Sequence, residues 1–180
     1  MQNLMIDLET WGNTPAAAVI QVAGIYFDPK TKKLGKQFNM HIDAQSEMDE
    51  GFNVNADTLY WWFNQSGLAQ VSAIGDKHDR RPSTDVWHEF NMFCKSAENI
   101  WSHATFDAAI VINHNKILNI TPTYRYWAMK DLRTLQILAG MSRHEMNAYK
   151  ATAKGPLHDA ITDCKVQIDW ASDALNRIGK

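Results

Sequence analysis

The chain has 180 residues, 45% hydrophobic and 21% charged, with a formal net charge of −2. Such a length and composition suit one globular domain over residues 1–180. The charge excludes broad, non-specific coating of a nucleic-acid backbone but allows a grip on a few nucleotides. Cys94 and Cys164 stand in no CxxC pattern, which excludes a disulfide framework. With no signal-peptide pattern and no apolar run of membrane length, the expected location is the cytoplasm.

Residues 3–9 read as the first strand. Leu4, Ile6 and Leu8 point to one face and Asp7 and Glu9 to the other, because strand side chains alternate. Two like charges on one face of a hydrophobic strand repel each other and lose hydration. A cation between them removes both penalties; an edge strand with a wet face is the plainer alternative. Thr10 to Pro15 is a turn, Ala16 to Phe27 a second strand, Asp28-Pro29-Lys30-Thr31 a turn, and Gln37 to Ile42 a third strand. Loops this short make the three an antiparallel meander.

Helical signals follow. Asn55 caps a helix through Leu59, Trp62 and Phe63. The polar stretch Gly75 to Pro82 breaks the chain, and Ser83 caps a helix carrying Val86, Phe90 and Phe93. Glu98 to Ser102 is a short strand. Thr105 caps a helix whose stripe is Phe106, Ile110, Asn113 and Ile117. Tyr124 to Met129 reads as another strand, and Asp131 to Ala139 as a helix stopped by Gly140. Met141 to Pro156 reads as an irregular, polar, mobile loop. The last helix runs from about Asp159 to Ile178. Its apolar stripe is Ile161, Cys164, Ile168, Ala171, Leu175 and Ile178, and its wet face is Asp159, Thr162, Lys165, Asp169, Ser172 and Asp173. A second row, Asp163, Val166, Trp170 and Ala174, is apolar except for the acid at its head. The expected fold class is α/β, a mixed sheet that begins with the meander and is flanked by helices.

Dinucleotide, P-loop, HExxH and nucleophile-elbow motifs are absent. What remains is acids in unusual places: Asp7 and Glu9, Asp107 in the first turn of a helix, and Asp163, with His158 five residues before it. Taken singly, Asp107 reads equally well as an acid at a helix start, stabilised by the dipole, Asp163 less readily so because it faces apolar neighbours, and His158 as a solvated residue before a helix. Taken together, four carboxylates can hold two oxygen-seeking cations such as Mg²⁺ or Mn²⁺, and a nearby imidazole can take a proton from an attacking water.

Asp7-Leu8-Glu9-Thr10, Phe106-Asp107 and His158-Asp159-Ala160-Ile161-Thr162-Asp163 resemble, in order, the three motifs of the DEDDh branch of DnaQ-like 3′–5′ exonucleases, in the ribonuclease H-like superfamily. Trp61-Trp62 with Asn64-Gln65-Ser66, and Asp131-Leu132-Arg133-Thr134, resemble the small phage-type exonuclease A subgroup. His103 stands where many members carry Asn. The resemblance implies a ribonuclease H-like fold and hydrolysis from a 3′ end to nucleoside 5′-monophosphates. It implies that Asp7 bridges two divalent cations, Mg²⁺ or Mn²⁺, that Glu9 and Asp163 complete one site, and that Asp107 holds the second. His158 is then the general base, and Leu8, Thr10, Trp11, Trp62 and His103 are the substrate contacts. The implied partner is single-stranded or 3′-overhang nucleic acid, with no membrane; a homodimer is left open.

Of the aromatic residues, Phe106 and one of Trp61 and Trp62 are expected in the core, and Trp11 beside the terminal base. Phosphate contacts are expected along Arg143 to Lys154 rather than at Lys30 to Lys36 or Arg80-Arg81. Two other readings stand: a nucleotide or dinucleotide metallophosphodiesterase, and a nucleic-acid-binding module without catalysis.

Overall fold

The computed structural model describes residues 1–179. Strand β1 (Asn3–Thr10) lies near the middle of a six-stranded sheet. It pairs antiparallel with β2 (Val19–Phe27), and β2 pairs antiparallel with β3 (Leu34–Ile42), as the short turns require. Three helices follow: α1 (Ala44–Asp49), α2 (Ala56–Phe63) and α3 (Gly67–Ile74). The two-residue β4 (Arg80–Arg81) adds to the edge of β3. Helix α4 (Ser83–Phe93) leads to β5 (Asn99–Ser102), parallel to β1. A single π turn (Ala104–Ala108) runs into α5 (Ala109–Ile117). The edge strand β6 (Met129–Asp131) is parallel to β5, and α6 (Leu132–Leu138), α7 (Arg143–Ala151) and α8 (Ala160–Ile178) complete the chain. Among the described residues, no helix is long and apolar enough to cross a membrane.

The expected mixed sheet with flanking helices is what the chain adopts, and strand alternation decides its two cores. Leu4, Ile6 and Leu8 pack with Val86, Trp87 and Phe90 of α4 and Ile110 and Val111 of α5. Met5, Ala23, Ile25 and Phe27 pack with Cys164, Ile168 and Ala171 of α8 and with Leu132 and Leu135 of α6. Asp7 and Glu9 therefore face the α8 side of the sheet.

The structure corrects several boundaries. Strand β2 starts at Val19 rather than Ala16, and Ala17 makes only an isolated bridge with Asn53. Pro82, not Ser83, is the cap position of α4, and the Ser83 hydroxyl turns inward to donate to Glu47. Thr105 lies inside the π turn rather than capping it. Residues expected as a strand at Tyr124–Met129 form a 3₁₀ turn (Tyr126–Ala128) that leads into β6. The segment expected as an irregular loop holds α7, opened by a capping box in which Ser142 and Glu145 bond reciprocally. On α8, Asp159, Thr162 and Ser172 are buried rather than wet, because α8 lies against β1 and β2.

The buried face of α5 is Ile110, Val111, His114 and Asn115, one step round from the expected stripe; Ile117 is exposed. His114 can sit inside because a partner meets each ring nitrogen: Ile110 O at 2.9 Å and Glu47 Oε2 at 2.9 Å. Phe52 stacks on its ring at 3.7 Å. Glu47 also accepts from Val19 N, Ser83 Oγ and Trp87 Nε1, so one buried carboxylate ties α1, β2, α4 and α5 together. In Glu47→Gln an amide NH₂ must face groups that already donate. An unsatisfied buried donor costs roughly 1–3 kcal/mol, so thermal denaturation should show Tm lower by about 2–10 °C.

Candidate active site

Asp7 and Glu9 lie near the carboxyl end of β1, next to the parallel β5, whose own carboxyl end leads into the π turn. Ligands gather at such strand ends in open α/β sheets. The π turn swings Asp107 back onto β1. Its Oδ2 accepts from His103 N at 2.9 Å and its Oδ1 from Leu8 N at 3.3 Å. From the opposite side, Asp159 caps α8 through Thr162 N and accepts from Gln21 Nε2 at 2.9 Å, while Gln21 Oε1 accepts from Ala160 N. Gln21 is the cross-strand partner of Glu9. The start of α8 is thereby pinned beside Glu9, and Asp163, one turn in, reaches the same place.

Glu9, His158 and Asp163 offer donor atoms that all lie within 4.8 Å of one another. Asp7 is braced by Gln167, one turn beyond Asp163 on α8, whose Nε2 donates to Asp7 Oδ1 at 2.7 Å. Nothing in the sequence singled out Gln167; its spacing of four from Asp163 is the signal that both face one way. His158 holds a left-handed backbone (φ +63°), and its N–H donates to Asp163 Oδ2 at 3.2 Å. A non-glycine residue there carries local strain that the surroundings must hold in place. The Trp61 ring stands edge-on to the imidazole, centroids 4.8 Å apart.

The electrostatics are those of acids whose burial outweighs the pull of Arg133 on Asp107 and of Lys150 on Asp163. Burial pushes the Asp7 and Glu9 carboxyls well up, and their acidic neighbours add to it: Asp107, Glu9 and Asp163 for Asp7, and Asp163, Asp107 and Asp159 for Glu9. Burial raises Asp107 to about 7, against the backbone N–H groups of His103 and Leu8, and Asp163 to about 6. Burial lowers His158, with Lys150 adding to the effect, and lowers His103 to about 4, with Arg133 adding. Four hard oxygen donors of one sign, with no ion pair to any of them among the described residues, fit a divalent metal such as Mg²⁺ or Mn²⁺.

Two hollows meet at this cluster and share Asp7, His103, His158 and Asp163. One, about 490 Å³, is walled by Leu8, Thr10, Trp61, Trp62 and Phe106, with Asp57 at its rim. The other, about 690 Å³, lies between α6, α7 and α8.

The remaining expectations sort accordingly. Trp62 is the core member of its pair: it is buried, and its indole donates to Thr10 O at 2.9 Å. Trp61 is the exposed one at the site. Trp11 lines neither hollow and packs against Trp62, Ile20 and Ala73. Phe106 is half-buried, between the core and the aromatic hollow. Lys30 to Lys36 sit at the far end of the sheet, where Lys32 pairs with Asp173. Arg81 is bound bidentately by Glu89, and Arg80 by the carbonyls of Ile74 and Gly75. Arg143 and Lys150 line the larger hollow.

The exodeoxyribonuclease of enterobacteria phage T4 is 26% identical across 97% of this chain and 89% of its own. Among solved structures, a moderately thermophilic exonuclease I from Methylocaldum szegediense superposes with a TM-score of 0.68 at 14% identity, over 99% of this chain and 41% of that one. The zinc-ion-bound form of an E. coli ExoI–ssDNA complex gives 0.66 at 15% identity, over 99% and 41%. The chain thus spans about two fifths of the length of these exonuclease I chains, and at such identities the likeness speaks for the fold. The family model described as the 3′-5′ exoribonuclease Rv2179c-like domain matches residues 2–175. On that match the chain belongs to the Rv2179c-like 3′–5′ exoribonuclease domain family, and with it to the DnaQ-like, ribonuclease H-like 3′–5′ exonucleases.

Proposed function

We propose that the chain is a metal-dependent 3′–5′ exonuclease of the DEDDh type, removing nucleoside 5′-monophosphates from the 3′ end of single-stranded or 3′-overhanging nucleic acid. The observation that carries this reading is the convergence of Asp7, Glu9, Asp107 and Asp163 with His158, from β1, the π turn and the start of α8. Asp7, Glu9, Asp107 and Asp163 are the residues that would hold two Mg²⁺ or Mn²⁺ ions, which when bound supply charge stabilisation at the phosphate and at the attacking and leaving oxygens.

The other steps belong to the chain's own groups. The imidazole of His158, lowered by burial and by Lys150, is neutral near pH 7 and accepts the proton of the attacking water. Its backbone bond to Asp163 and the edge of Trp61 hold it at the cluster. The aromatic hollow takes the terminal nucleoside, with Leu8, Thr10 and Phe106 against the sugar and base and Trp61 as a stacking surface. His103, neutral because burial holds it near 4, presents a ring at the boundary between the two hollows.

The test is a digest of 5′-labelled and 3′-labelled RNA and DNA single strands with Mg²⁺ or Mn²⁺. The 3′ label should appear at once as mononucleotide, and the 5′-labelled strand should shorten stepwise. Among the described residues, the aromatic hollow has no Lys or Arg in its lining, and it carries Asp57. A terminal 3′-phosphate finds no Lys or Arg to pair with there and faces Asp57, so strands ending in 3′-phosphate should be cut at least about tenfold more slowly, a barrier difference of about 1.4 kcal/mol. Early release of 5′-labelled mononucleotide would refute the polarity, and full activity in EDTA would refute the metal requirement.

A further inference from the structure

The larger hollow has a chemistry that the smaller one lacks. It is lined by Arg133, Arg143 and Lys150, and among the described residues none of the three is paired with a carboxylate. A surface charge run usually means a solvated face, but α7 is not placed that way. Glu145 and Tyr149, four apart, turn toward α8, where they bond Arg177 at 2.8 Å and Asp173 at 2.6 Å. With that face committed, Arg143, Asn147 and Lys150, at i, i+4 and i+7, form the next stripe, and all three line the hollow. Arg133 enters from α6 on the other wall and donates to Thr105 Oγ1 at 3.0 Å. Ile137, Met146 and Leu157 supply apolar surface between the cations.

The contrast between the two hollows orients a strand. A 3′-terminal nucleoside ends in a hydroxyl and brings no phosphate beyond the scissile one, so its pocket needs no cation. The strand on the other side of the scissile bond brings one phosphate per nucleotide and needs several. We propose that the cleft between α6, α7 and α8 is the subsite for the nucleotides immediately 5′ of the scissile phosphate, with Arg143 and Lys150 gripping their phosphates. The proposal rests on the nuclease reading for its direction. It makes the substrate an oligonucleotide, held mainly by what remains after each cut.

The test compares two substrates at pH 8. One is a single-stranded pentanucleotide. The other is the p-nitrophenyl ester of thymidine 5′-monophosphate, which has a scissile phosphodiester but no upstream phosphate. The variant is Arg143→Gln with Lys150→Gln. The control is Lys30→Gln with Lys36→Gln, which removes the same charge at the far end of the sheet. Both doubles change only exposed side chains. For Arg143→Gln/Lys150→Gln, KM for the pentanucleotide should rise at least about tenfold. The slope of log affinity against log salt should fall by about 1.4, at roughly 0.7 per single-strand phosphate contact. At pH 8, above the ordinary imidazole value of about 6.5, His158 stays neutral without Lys150, so hydrolysis of the ester should stay within about twofold, and the control should match the parent on both substrates. Equal loss on both substrates, or equal loss in the control, would overturn the cleft assignment.

Anisotropy of a fluorescein-labelled pentanucleotide in Ca²⁺ separates this failure from that of the nuclease reading. If the parent cuts neither substrate but Arg143→Gln/Lys150→Gln alone loses binding, the cleft stands and the nuclease reading falls. Unchanged binding overturns the cleft.

Discussion

Asp7→Asn is expected to abolish turnover and to stabilise the metal-free protein. Asp7 is 7% exposed, near the middle of the sheet, and feels Asp107, Glu9 and Asp163 as like charges, with Gln167 as its single hydrogen-bonding side chain. Asn keeps the shape and an acceptor for Gln167 but removes the charge that would hold a cation in the proposed site. The loss of metal-borne stabilisation at the phosphate should lower kcat by about 10³-fold or more, roughly 4 kcal/mol of barrier. The same change relieves repulsion in the absence of metal. A gain of about 1 kcal/mol would raise Tm by about 2–4 °C in EDTA.

The pH dependence has a definite sign. Asp107 and Asp163 titrate at about 7 and about 6 in the fold, above the ordinary value near 4 for an unfolded carboxyl. The fold therefore favours their protonated forms, and that stabilisation is complete below about pH 4 and lost as pH rises through 6 to 7. In EDTA, Tm should fall over this window. Saturating Mg²⁺ or Mn²⁺ selects the ionised forms, so the Tm difference between metal-loaded and metal-free protein should widen as pH rises. Differential scanning fluorimetry of parent and Asp7→Asn from pH 4 to 8 reads all of this. A metal-free Tm that rises with pH, or an Asp7→Asn variant with parental turnover, would refute the metal site.

His158→Ala should lower kcat by about 10²–10⁴-fold, the usual worth of general acid–base catalysis, with metal-induced stabilisation nearly unchanged. The side chain is partly buried, and among the described residues its ring makes no hydrogen bond; its backbone N–H is what reaches Asp163, and alanine keeps that group. Removing the ring therefore costs the fold little beyond the edge contact with Trp61. Because burial and Lys150 lower His158, the acid limb of the parent's kcat profile should fall below about pH 6.5, the ordinary imidazole value. A structural role gives the opposite pattern, with Tm falling and kcat within about threefold, a barrier change under about 1 kcal/mol.

Much of this chain is written locally. The alternation in Leu4–Glu9 set both the two-faced strand and the pairing of its acids, because period two leaves no choice of face. Short turns made the meander antiparallel, and Asn55 capped its helix as expected. The order of Asp7-Leu8-Glu9, Phe106-Asp107 and His158 to Asp163 was enough to assemble the candidate site. The Ser142–Glu145 capping box that opens α7 was also legible, but the polar composition around it read as loop.

The tertiary structure decided what depends on a partner distant in sequence. His114 faces inward because Glu47, 67 residues away, meets its ring, and no helical periodicity could reveal that. Asp159 and Thr162 are buried because Gln21 from β2 and their own cap satisfy them. Trp62 took the core and Trp61 the site, since one strand carbonyl, Thr10 O, was placed for a single indole. Gln167 became the brace of Asp7 only when α8 docked across β1. Arg143 and Lys150 became a cleft rather than a solvated face because Glu145 and Tyr149 anchored the neighbouring face of α7. Backbone preference and side-chain period act over a few residues, so the sequence alone determined the meander, most helices and the residue types of the candidate site. Burial of polar groups needs a matching donor or acceptor across the fold, so which acids, rings and cations face the site was settled only by packing.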